Sequence, residues 1–179
     1  MNHYDIVVVG NSQIGKSRAL LVYQNQEYYG YYPPALHHNE FATIDGEKIV
    51  FSLQDTPGHE DYNQVRPLLY FDSSLFLVCY AVDDRASFND LTNRWIPEIK
   101  QYLDEIPFII VGLKNDLRYE ANDVDVVTEE EGCQLALRCG AHSHILCSAF
   151  SNYNINFLIN TAVRVAKQGK PKKKKSKCF

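Results

Sequence analysis

The sequence predicts an α/β domain: a six-stranded, mostly parallel sheet with one antiparallel edge, flanked by about five helices. Three observations carry this. Apolar runs of strand length alternate with stretches of helical periodicity, an Asp45-Gly46 dipeptide separates two strand-like segments, and a glycine-bearing stretch, GNSQIGKS at 10–17, joins the first strand to the first helix.

Taken in order, YDIVVV (4–9) is β-branched and too short for a helix, so it reads as a buried strand. A helix of about 16–25 follows. EFATI and EKIVFSLQ then flank Asp45-Gly46 as the two arms of a hairpin. LFLVCYAV (75–82) and PFIIVG (107–112) are further buried strands, with the helical segment SFNDLTNRWIPEIKQYL between them. Thr128 followed by Glu131 forms a capping box for a helix of about 129–139. HILC (144–147) is the last strand. Ile155, Leu158, Ile159, Ala162, Val163 and Ala166 place a last amphipathic helix at about 154–168.

A chain of 179 residues, 45% hydrophobic, is long enough for one core without staples. Cys79, Cys133, Cys139, Cys147 and Cys178 show no CxxC spacing, so neither a disulfide framework nor a zinc site is expected. No leader pattern opens the chain and no apolar run approaches the length of a membrane span. A reducing cytoplasmic location is the expectation. The net charge of −4 is uneven: the last thirteen residues, KQGKPKKKKSKCF, hold seven of the 18 Lys+Arg and no acid, leaving 11 against 22 acids, or −11, in residues 1–166. We therefore expect a folded domain over 1–166 and a disordered polybasic tail over 167–179.

In a parallel sheet ligands sit beyond the carboxyl ends of the strands. That rule brings Gly10–Ser17, Asp55–Gly58, Lys114–Asp116 and Ser148–Ala149 to one edge. GNSQIGKS matches G-x-x-x-x-G-K-[ST] in its required strand-to-helix setting, the mark of a phosphate-loop nucleotide site. Gly10 and Gly15 let the backbone curl, so Asn11, Ser12, Gln13 and Ile14, with Arg18 at the start of the helix, are expected to face the phosphates of the nucleotide. Lys16 adds positive charge at the β- and γ-phosphates, and the Ser17 hydroxyl ligates Mg²⁺. Asp55, ending a strand, holds the same Mg²⁺ through water. Gly58 completes a DxxG turn and offers its N–H to the γ-phosphate.

LKND (113–116) and CSAF (147–150) resemble the two base-reading loops of GTP-binding proteins. The resemblance implies that Asp116 accepts from guanine N1 and N2, that the Lys114 stem covers the ring, and that Ser148 and Ala149 steady the loop and reach guanine O6. Leu117 and Phe150 flank these positions. Leu113 stands where that family has Asn or Thr, so one bracing hydrogen bond is missing.

Over its whole length the chain resembles the small GTPases, closest to the Rho family. EDYNQVRPLLY after the DxxG, SFNDLTNRWIPEI, TIDGEKIVFSLQDT and the lysine-rich end carry the likeness. It implies a P-loop NTPase (small G-protein) fold, GTP or GDP with Mg²⁺ as ligands, a signalling role in cytoskeletal or membrane-traffic control, and effector, exchange-factor and activating proteins of Rho type as partners. A monomer is expected, and no nucleic-acid partner. The stretch YEANDVDVVTEEEG lacks the helical insertion of most Rho proteins. DTPGH (55–59) is also the form found in translational GTPases, but a single domain is expected from the 179 residues and the residues after His59 are Rho-like.

Several residues depart from the Rho pattern. His59 replaces a water-orienting glutamine and Pro57 an alanine; Ser12, followed by Gln13, replaces a loop glycine. Of the catalytic candidates His59 and Lys16, only the lysine matches the pattern, so slow hydrolysis is expected. In YYGYYPPALHH (28–38), Tyr28 and Tyr32 would cover the guanine edge and the phosphates, while Ala35 replaces a metal-ligating threonine. His37 and His38 are expected as exposed loop residues. Lys172, Lys173, Lys174, Lys175 and Lys177 would hold the protein on an anionic cytoplasmic membrane face, at the plasma membrane. Cys178, with only Phe179 after it, lacks the spacing of a prenylation box. The alternative function is a pseudo-GTPase scaffold whose partner binding ignores nucleotide state.

Overall fold

Period-two alternation in the first strand divides the core. Ile6 and Val8 pack on one face of the sheet, Val7 and Val9 on the other, and all four are buried. The computed structural model describes residues 3–25, 37–119 and 125–169. Its elements are β1 (His3–Gly10), α1 (Lys16–Tyr23), β2 (His37–Ile44), β3 (Glu47–Asp55), β4 (Ser73–Ala81), α2 (Arg85–Asp90), α3 (Ile96–Tyr102), β5 (Phe108–Leu113), α4 (Glu129–Cys139), β6 (His144–Leu146) and α5 (Ile155–Gln168).

The sheet order is β2-β3-β1-β4-β5-β6. β1, β3, β4, β5 and β6 run parallel, and β2 pairs antiparallel to β3 from His37↔Gln54 to Ile44↔Glu47. The mostly parallel sheet with one antiparallel edge is therefore as expected. Asp45 and Gly46 both take positive φ, 53° and 81°, as a two-residue hairpin turn requires. α1 and α5 cover one face; α2, α3 and α4 cover the other.

Two details differ from the expectation. The helix over 85–102 is divided by a π turn at Leu91–Trp95. Pro97, at the start of α3, has no N–H to return to the turn behind it, which shifts the local hydrogen-bond register. Second, His37 and His38 open strand β2 rather than lying in a loop, and no group of metal-ligating side chains occurs among the described residues. The capping box is present: the Thr128 hydroxyl accepts from Glu131 N–H at 3.2 Å, and the Thr128 N–H donates to the Glu131 carboxylate at 2.8 Å. α5 extends to Gln168, two residues into the stretch assigned to the tail. No helix of the described residues is long and apolar enough to cross a membrane.

Candidate functional site

Because β1, β3, β5 and β6 are parallel, their carboxyl ends open on one edge, and the four polar loops converge there as the sequence order requires. Gly15 adopts φ 103°, a left-handed conformation that starts α1 with its unpaired N–H groups facing the loop. Lys16 is buried, and its ammonium donates to the carbonyls of Gly10 (2.9 Å) and Asn11 (2.7 Å), holding the loop closed around the charge. Burial lowers its pKa, against the pull of Asp55. Ser12 and Gln13 are exposed at the rim, Ile14 is buried beneath it, and Arg18 is exposed on the first turn of α1.

The carboxylate at the end of β3 is unusual. Ser17 Oγ donates to Asp55 Oδ2, while Asp55 Oδ1 is buried without a hydrogen-bond partner among the described residues. Burial raises the Asp55 pKa, and the Ser17 bond and Lys16 charge only partly offset it. A hydroxyl and a carboxylate, one of whose oxygens is buried and unpartnered, make a hard-oxygen donor set that suits Mg²⁺. Ser17 and Asp55 fit the ion, which would neutralise phosphate charge beside Lys16.

Gly58 lies directly on the phosphate loop. A methyl group on it would sit 2.4 Å from the Gly10 carbonyl oxygen and 2.6 Å from the Ser12 nitrogen, so no larger residue fits. His59 does not face that contact: its ring is 63% exposed, Nδ1 accepts from the Asp61 N–H at 3.3 Å, and the Asp61 carboxylate lies 3.2 Å away. It caps the short 3₁₀ turn Glu60–Tyr62.

The loops at 113–116 and 147–150 meet at this edge. Asp116 Oδ1 accepts from the Ser148 hydroxyl at 2.5 Å, and that hydroxyl oxygen accepts from Ser151 N–H at 3.1 Å. The Asn115 N–H donates to the Cys147 carbonyl at 3.0 Å, and Asn154 Nδ2 to the Leu146 carbonyl at 2.9 Å. These bonds tie the two loops together without help from position 113, where Leu113 is buried in the core. The Lys114 stem passes Gly15, whose added methyl would lie 3.9 Å from Lys114 Cγ, so base loop and phosphate loop share a wall. Ala149 and Leu117 are half-buried, and Phe150 is 88% exposed. Tyr28, Tyr32 and Ala35, and the tail lysines with Cys178, lie outside the described residues.

One cluster was not expected. The buried Arg66 and Trp95 and the half-buried Arg94 and Glu98 form a network under the DxxG segment, connected to the phosphate loop through Asn11. The only hint in the sequence was a charged residue set among Val65, Pro67, Leu68 and Leu69, whose partner is 32 residues away.

This fold and these loops define a phosphate-loop nucleotide-binding protein. A model described as the Ras family matches residues 5–168. The GTP-binding protein RHO1 of Candida albicans is 34% identical over 184 residues, covering 97% of this chain and 93% of that protein. The chain belongs to the Ras family and is a Rho-like small GTPase, which implies a guanine nucleotide as its ligand.

Proposed function

We propose that this protein is a guanine-nucleotide-dependent signalling switch that hydrolyses GTP slowly. The observation that carries the reading is the orientation of His59, turned to Asp61 and solvent instead of toward the loop under Gly58. Hydrolysis requires water to attack the γ-phosphorus as the bond to the bridging oxygen breaks, releasing GDP and phosphate. Lys16 stabilises the charge on the transferring oxygens, Ser17 and Asp55 would hold Mg²⁺, and the Gly58 amide contacts the γ-phosphate. Orienting the water falls to a side chain engaged elsewhere.

Ser12 adds a side chain at the rim where an arginine from an activating protein would enter. Such an arginine is worth about 10³–10⁵ in rate, so its exclusion would outweigh the loss at His59. Effectors, exchange factors and activating proteins of Rho type are the proposed partners, in cytoskeletal or membrane-traffic control. The tail lysines, at about 1 kcal/mol each near an anionic leaflet, would keep the monomer on the cytoplasmic face of the membrane.

The test is single-turnover phosphate release from the GTP-loaded protein. The wild type is expected to be slow, and His59→Gln with Ser12→Gly at least about tenfold faster, or 1.4 kcal/mol in barrier. A double variant no faster than wild type would reject the assignment.

A further inference from the structure

Arg66 is completely buried, and every N–H of its guanidinium is used. Nη1 donates to the carbonyls of Pro57 (3.0 Å) and His59 (3.4 Å). Nη2 donates to Asn63 Oδ1 and Glu98 Oε2, both at 2.7 Å, and Nε to Glu98 Oε1 at 2.9 Å. The Glu98 carboxylate also accepts from the Tyr70 hydroxyl at 2.6 Å. The guanidinium carbon lies 4.6 Å from the centre of the Trp95 ring, and that of Arg94 lies 4.4 Å from the same centre. Arg94 Nη2 donates to the Gly58 carbonyl at 3.3 Å. Three successive carbonyls, those of Pro57, Gly58 and His59, are thus held by two arginines.

The peptide plane turns this into a statement about amides. The described peptides are trans, so the Gly58 N–H points opposite to the Pro57 carbonyl, away from Arg66. Gly58 itself lies on Gly10 and Ser12 of the phosphate loop. The loop is fixed to the same network, because Trp95 Nε1 donates to Asn11 Oδ1 at 2.7 Å and Asn11 Nδ2 donates to Asp90 at 2.6 Å. We infer that Arg66 is a positioning residue: it sets the Pro57–Gly58 peptide so that the Gly58 amide is presented to the terminal phosphate of a bound nucleoside triphosphate. Arg94 supports it by holding the next carbonyl. The inference rests on the nucleotide-switch reading, since it concerns how that site distinguishes triphosphate from diphosphate.

A guanidinium is required here, because a lysine ammonium has neither the planar fork nor five donors. The experiment compares full-length wild type, Arg66→Lys and Arg94→Ala, in Mg²⁺, for affinity toward GDP and a non-hydrolysable GTP analogue. Melting temperature is recorded in parallel. The triphosphate-over-diphosphate preference should fall about tenfold in Arg66→Lys, the scale of one charge-supported hydrogen bond, with GDP affinity within about twofold of wild type. Equal losses for both nucleotides, or none, would overturn the inference and leave Arg66 as packing. Should Arg66→Lys fail to fold, Arg94→Ala decides by the same ratio, because Arg94 is half-buried and holds the Gly58 carbonyl. A wild type that binds neither nucleotide would instead reject the switch reading.

Discussion

Trp95 donates its indole N–H to the Asn11 side-chain oxygen at 2.7 Å, so the one tryptophan of the chain is bonded to the second residue of the phosphate loop. Its ring is fully buried between Arg66 and Arg94. Intrinsic fluorescence should therefore respond when Mg²⁺ and GDP bind, and the response should shrink in Asn11→Ala, which removes the acceptor. A spectrum unchanged by nucleotide, in a sample shown to have bound it, would contradict this coupling.

Asp55 carries a charge that the unliganded protein stabilises poorly. Its folded pKa is raised by burial, so folding favours the protonated form, and this group's contribution to stability falls as pH rises through the ordinary carboxylate range toward the folded value. Asp55→Asn should melt no lower than wild type without Mg²⁺ and nucleotide, and lose at least about tenfold in Mg²⁺-dependent nucleotide affinity. Calorimetry with and without Mg²⁺ separates the two effects. A clear drop in unliganded melting temperature would count against the strained carboxylate.

His144 makes an acid-side prediction. Its ring lies between Tyr80 of β4 and helix α4, with Nε2 2.9 Å from the Tyr80 hydroxyl and Nδ1 3.6 Å from Cys133 Sγ. Burial, with a smaller repulsion from Arg118, lowers its pKa to about 4. The unfolded chain takes up the proton first, so this group's contribution is complete above about 6.5, declines as pH falls from there, and levels off near 4. The full loss is on the order of 3 kcal/mol. Urea midpoints of wild type and His144→Asn should differ most at pH 7 and converge at pH 4.5; a constant difference would refute the neutral ring.

Ion pairs of similar appearance should behave differently at the surface and in the interior. Arg164 and Lys167 on α5 reach Asp45 and Glu47 at the hairpin, all exposed, whereas Glu98 meets the fully buried Arg66 at 2.7 Å. Asp45→Asn should leave the melting temperature unresolved from wild type, because water and salt screen such pairs. Glu98→Gln leaves a buried guanidinium without its counter-charge and should destabilise by about 3 kcal/mol. Although burial opposes ionisation of Glu98, the bonds from Arg66 and Tyr70 hold its pKa below the usual value. Its contribution is therefore present above the unfolded carboxylate pKa and is lost as pH falls through the folded one. Equal effects of the two substitutions in urea titrations would reject the distinction.

The strands, the hairpin, the capping box and the phosphate loop were legible in the chain because each is a local matter. Period-two burial, the two positive φ values at Asp45-Gly46, the Thr128–Glu131 exchange and the Gly15 turn all involve residues within a few positions of one another. Parallel pairing then brings Ser17 to Asp55 and Asp116 to Ser148, and topology rules were enough to foresee both meetings. Only the folded structure set the direction of His59 and the network beneath Gly58. Arg66 finds Glu98, and Trp95 finds Asn11, across 32 and 84 residues. No spacing encodes such contacts: they are decided by how the helix over 85–102 packs on the sheet, and a buried guanidinium then needs every donor satisfied. The local chain therefore determined the loops that form the site, and the tertiary packing decided how the peptide at Gly58 is held above the phosphate loop.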